Sequence, residues 1–279
     1  MDYPALVASI SGIDRRVIYL VIALSIMVPL LLASYARVEP EIETVSFYER
    51  IQDLSEGDII LLSVDYMPGS ASELEPMITA FLKQVFSKHI KIVALSLNAQ
   101  GTGLLESSIE NVAAEYGKNY GDDWVFLGYR PSSPAVIISL SGSPHSLFPE
   151  DPRGNELSDL PLTTDLNGFE DFNAIVAIAS GASAQDWVIY GYERYTGPIL
   201  VGLSGGIGPA FQSFYDTHHV KGIIAGLQGA AEYEQLVGIR GEALRAVFAQ
   251  SVAHLVFVGL IVVGNLSFLA ALWIERAMG

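Results

Sequence analysis

The chain has 279 residues, no cysteine, and 31 acidic residues against 15 Lys and Arg, a formal net charge of −16. This excludes disulfides, thiol chemistry and Cys-ligated metals. It also argues against nucleic acid as a partner, because phosphate binding needs positive charge. Half of the residues are hydrophobic (51%) and only 16% are charged, which points instead to the lipid bilayer.

After a short tail (1–16), residues 17–36 form an uncharged run of twenty, bounded by Arg15-Arg16 and Arg37. At about 1.5 Å per residue such a helix spans a bilayer core of about 30 Å. Its apolar stretch exceeds the ~7–15 residues of a signal peptide core, so the expectation is an uncleaved anchor. Tyr19 and Tyr35 sit near its ends, where amphipathic rings favour the interface.

Residues 37–245 hold 28 acids and 12 bases, and so carry the charge imbalance. Here β-rich runs alternate with helical ones. The apolar run 58–64 reads as a strand buried on both faces. The helix expected over 70–89 is capped by Ser70 or Ser72, with Glu73 and Glu75 in its first turn. A strand at 91–97 and a helix at 103–119 follow, then a strand at 124–127 and a helix at 134–140. A polar loop covers 145–173. Beyond it come a strand at 174–179, a helix at 184–195, a strand at 199–203, a helix at 209–217 and a short strand at 222–225. The stretch 230–244 reads as helix, broken near Gly238 and Gly241, with Glu232 and Glu234 on a solvated or subunit-facing edge. Residues 246–274 form a second expected span, with Trp273 near its end and a tail at 275–279.

Strand–helix alternation of this kind implies an α/β fold: a Rossmann-like three-layer sandwich with a mostly parallel sheet, flanked by an N-terminal and a C-terminal transmembrane helix. Both termini then lie on one side, and Arg15-Arg16 favours the cytoplasm for them, with the domain extracytoplasmic.

In such a sheet, ligands bind beyond the carboxyl ends of the strands. The polar residues placed there are Asp65, Asn98, Gln100, Arg130, Ser180, Ser183, Ser204, Gly205 and Gln228, and they would suit a small polar or anionic ligand. The stretch Gly202–Pro209, GLSGGIGP, admits two readings. As G-x-S-x-G it presents Ser204 as a nucleophile; as a glycine-rich turn it lets backbone approach a neighbour. A triad needs histidine and a carboxylate within reach. His218 and His219 fall roughly 15 Å away at the far end of the expected helix, leaving only His145, with Asp65, to fold back. The turn is the better reading, and no catalytic residue is assigned. The sequence has no Walker A, G-x-G-x-x-G or H-E-x-x-H pattern, so no cofactor or metal is expected.

Three stretches, DYMPGSASELEPM (65–77), KNYGDDWVFLGYRP (118–131) and GIIAGLQGAAEYE (222–234), together resemble a family of bacterial and archaeal membrane proteins with two terminal spans around an α/β domain. That resemblance implies the architecture and carries over no site residue. Small residues in the second span (Gly259, Gly264, Ser267, Ala270, Ala271) permit close helix packing. The functional expectation is a membrane-anchored, homo-oligomeric scaffold. A tethered binding domain and a serine-hydrolase-like enzyme at Ser204 are the alternatives.

Overall fold

The computed structural model describes residues 14–32, 35, 37–131 and 133–278, the last five without their side chains. Two compact units divide the chain: Arg37–Leu244 is one, and the terminal segments on either side make the other. The strands are β1 (Ile59–Asp65), β2 (Lys91–Ser96), β3 (Trp124–Tyr129), β4 (Ala174–Ala179), β5 (Ile199–Leu203) and β6 (Ile223–Ala225). In chain order the helices are α1 (Arg15–Leu31), α2 (Ile42–Gln52), α3 (Ala71–Ser87), α4 (Thr102–Glu115), α5 (Ser133–Leu140), α6 (Pro144–Leu147), α7 (Ser183–Asp186), α8 (Gln212–Asp216), α9 (Gly226–Val237) and α10 (Glu242–Met278).

The six strands form one sheet in the order β3-β2-β1-β4-β5-β6, and every pairing is parallel. Parallel strands need crossovers, and the intervening helices and loops supply them on both faces. β1 shows why the strands read as continuous apolar runs. Leu61 enters the core of one face with Val93, Ile137 and Trp187. Its neighbours Ile60 and Leu62 are equally buried, and alternation along a strand sends them to the other face. There α3 packs beside α9 and α4. Phe47 of α2 sits edge-on to Phe81 and Tyr233, at ring-centroid distances of 6.2 and 5.3 Å.

Four local expectations change. Ser70 makes no side-chain cap; a 3-10 turn at Pro68–Ser70 leads into α3 instead. The helix expected over 184–195 is α7 followed by a π-turn at Trp187–Gly191, where Trp187 and Val188 are both buried. The helix expected over 209–217 starts as a 3-10 turn at Gly208–Phe211. The helix expected from 230 starts earlier, at Gly226, and breaks where expected: α9 ends at Gly238, left-handed with φ of 80°, and α10 begins beyond it. Sequence reasoning missed α2 altogether, although its buried residues Thr44, Phe47 and Ile51 follow helical spacing.

In the terminal unit, α1 is capped by Asp14, whose carboxylate accepts from the Arg16 amide at 2.9 Å. Its 17 residues give about 25 Å at 1.5 Å per residue, short of a ~30 Å hydrocarbon core. Among the described residues, one helical stretch is long and apolar enough to cross a membrane, the 32 residues Glu242–Trp273. The first of the two expected spans is thus corrected to a shorter helix with Pro29 near its end. Residues 33, 34 and 36 of that expected span lie outside the described residues.

Candidate functional site

The strand order reverses between β1 and β4, so the topological switch point lies between their carboxyl ends. Asp65 ends β1 there, with 4% of its surface exposed. Its carboxylate accepts from the hydroxyls of Ser63 at 2.8 Å and Ser96 at 3.2 Å, and from the Leu97 amide. The Ser183 hydroxyl is a further donor. Burial pushes the Asp65 carboxyl above the ordinary carboxylate range, against the pull of those four donors. Asp65 therefore ties β1 to the loops after β2 and β4, and its carboxylate faces inward.

The other sequence-chosen residues fall on the same crest, where the structure commits most of their polar groups internally. The Asn98 side chain accepts from the Gln100 amide at 2.9 Å, closing the loop after β2, and Gln100 itself is exposed. Ser180 is half-buried behind β4, its amide bonded to the Asp65 carbonyl at 3.1 Å. Arg130 turns away from the crevice: it donates to the Leu147 carbonyl at 3.0 Å and lies over the Phe148 ring at 5.2 Å. The Gly205 amide, free to meet an anion on the sequence reading, donates to Glu73 at 2.7 Å. Gln228 donates to Glu232 at 3.1 Å.

Ser204 stands at the mouth of a tight turn, its carbonyl accepting from Ile207 at 3.1 Å and Gly208 at 3.2 Å. Among the described residues no hydrogen bond joins its hydroxyl to a histidine. His219 packs against Tyr192 with the rings tilted and their centroids 4.2 Å apart, and His145 lies in α6. Glycine is needed in this region for contact: a Cβ on Gly202 would lie 2.5 Å from the Met77 sulfur and 2.9 Å from Ile178.

Beside this turn a cavity of about 270 Å³ opens at the ends of β5 and β6, lined by Gly205, Gln212, Gln228 and three carboxylates, Glu41, Glu43 and Glu232. Burial, together with the charges of Glu232 and Glu43, raises the Glu41 carboxyl above its ordinary value. Sequence reasoning named Gly205 and Gln228 but missed the acids. It also set Glu232 and Glu234 on a solvated or subunit-facing edge, and that is overturned: each is 1% exposed. Their signal was the flanking Gly229-Ala230-Ala231, small enough to bring α9 close; a Cβ on Gly229 would lie 3.3 Å from Ile224. No cluster of three or more metal-ligating side chains occurs among the described residues.

At the β3 side, the loop 151–155 covers the crest, with Pro152 2.9 Å from where a Cβ on Gly128 would stand. Asp151 organises this loop, accepting from Tyr120 at 2.6 Å, from the amides of Arg153 and Asn155, and from the Asn155 side chain. Burial opposes ionisation of Asp151, but the bonds from Asn155, Tyr120 and Arg153 outweigh it and lower its pKa. A carboxyl lowered on folding adds stability above its unfolded value, and that stability is lost as pH falls through the folded one. Unfolding free energy measured between pH 5 and pH 2 should accordingly fall more steeply in the native protein than in Asp151→Asn. Parallel curves would remove Asp151 from the acid response.

No protein-family model matches the sequence, and comparison with curated proteins finds no match. Among solved structures the chain is similar to trehalose-6-phosphate synthase OtsA at 11% identity and a TM-score of 0.31. The match covers 89% of this chain but 48% of that one, so the chain spans about half the length of its structural neighbour. A similarity of that size carries no functional argument.

Proposed function

We propose that the protein is a membrane-anchored, non-enzymatic α/β domain that acts as a homo-oligomeric scaffold or accessory component. One observation carries this reading. The groups an active site would need free, namely the Asp65 carboxylate, the Arg130 guanidinium and the Gly205 amide, are each committed to an intramolecular partner. On this reading the apolar stretch Glu242–Trp273 is the membrane anchor. Self-association would run through the small-residue face of that stretch.

A second reading is favoured by the cavity beside Gly205 and Gln228. In it, the domain is a tethered binding module for a small polar ligand held at the ends of β5 and β6. Native mass spectrometry of the full chain from mild detergent separates the two. A discrete multiple of the 30.1 kDa chain with no added mass supports the scaffold. A monomer carrying a reproducible small adduct, lost in Gln228→Ala, overturns it for the binding module.

A further inference from the structure

Helix α9 leaves the crest of the sheet and grips both segments of the α/β unit that lead towards its two ends. Glu232 accepts from the Glu41 amide at 3.1 Å and the Thr44 hydroxyl at 3.0 Å, capping α2. Gln235 brackets Val38, accepting from its amide at 3.0 Å and donating to its carbonyl at 2.6 Å. Glu234 reaches the other way and accepts from the amides of Ala243 at 3.1 Å and Leu244 at 2.8 Å, so that it caps the first turn of α10. Gly241 is the residue that lets it pass, because a Cβ there would fall on the Glu234 carboxylate.

The opposite end of α9 is wedged into the crest. Gly226 adopts φ of 61°, and a Cβ on it would lie 3.0 Å from the Gly205 Cα, whose loop Glu73 holds in place. Gln228 links this end to Glu232 at 3.1 Å. Laterally, the buried Tyr233 hydroxyl bonds Gln84 of α3, and that amide in turn bonds the Tyr48 carbonyl at 3.2 Å and Gln52 at 3.3 Å. The helix therefore has little freedom to roll in its seat.

We infer that α9 is a rigid coupling element: displacement of the crest at 226–228 is passed to residues 38–44 and 241–244 together, and each of those two segments senses the other through it. The physical reason is the burial of both carboxylates. A buried carboxylate that loses its donors is left uncompensated, so a shift of α9 must carry the capped segments with it or break the caps.

Amide hydrogen exchange on the full chain in detergent tests it through two reciprocal substitutions. Glu232→Ala leaves Glu234 intact, yet exchange at Ala243 and Leu244 should quicken about fivefold or more; Glu234→Ala should do the same at the Glu41 amide. Effects confined to the segment that lost its own cap, with the other within about twofold of native, would overturn the coupling. Peptides from β1 and β4 monitor the fold. If Glu232→Ala or Glu234→Ala speeds exchange there too, the near-isosteric Glu232→Gln and Glu234→Gln replace them and are judged by the same two outcomes.

Discussion

Asp65→Ala should destabilise the α/β domain by about 3 kcal/mol, because each buried donor left without an acceptor costs about 1–3 kcal/mol. Two of its donors, the Ser63 hydroxyl and the Leu97 amide, are buried with it at the switch point, whereas the Ser96 hydroxyl keeps the Val64 and Asn98 carbonyls as acceptors. In a domain of this size that is a fall of roughly 6–12 °C in Tm, readable by tryptophan fluorescence. Asp65→Asn tests the electrostatic half of the argument. The raised carboxyl binds its proton more tightly folded than unfolded. Its contribution is therefore fully present below the unfolded pKa and is lost as pH rises through the folded value. Asparagine carries no such charge, so Asp65→Asn should lose ground against the native protein as the solution is acidified. A Tm within error of native for Asp65→Ala would mean that water, and not the carboxylate, satisfies those donors.

Gly222→Ala should cost about as much, some 3 kcal/mol, at the upper end of overpacking penalties. Gly222 is buried just before β6, and a Cβ there would overlap the backbone nitrogen and Cα of Phe47 in α2. Backbone cannot rotate aside as a side chain does, so α2 or β6 must shift as a body, straining the aromatic cluster of Phe47, Phe81 and Tyr233. Gly206→Ala is the matched control. Nothing lies within 4 Å of its Cβ position, and alanine reduces the entropy of the unfolded chain, so it should be neutral or raise stability by about 0.4–1 kcal/mol. Equal midpoints for the two variants would show that α2 yields without resistance.

The strands were the most legible part of the molecule. Runs such as 174–179 and 199–203 are apolar throughout because both faces of the sheet are covered, and their bounds follow from sequence alone. α2 was illegible for the opposite reason: Glu41, Glu43, Glu49 and Arg50 mask an apolar stripe of only Phe47 and Ile51, with Thr44 between turns. Strand-end topology placed the candidate residues on one crest but could not give their directions. Arg130 turns to a carbonyl 17 residues further along the chain, and the Gly205 amide meets a carboxylate 132 residues before it. Glu232 was misread because a glutamate is almost never fully buried unless it is paired. Its partners at 41 and 44 lie about 190 residues away, and no local pattern announces them.

The parallel order also bears on how the protein is made. β1 can pair with β2 soon after both are synthesised, but its other edge waits for β4; the Ile59 amide meets its Asn173 partner 114 residues downstream. At translation rates of ~5–20 residues per second, that leaves an apolar strand edge open on the nascent chain for on the order of 10 s. A long, unpaired edge of Ile and Leu is a template for the wrong neighbour. The centre of the sheet, its best-buried region once folded, is thus its most exposed during biosynthesis, and slowing the arrival of β4 should favour aggregation over a merely delayed native state.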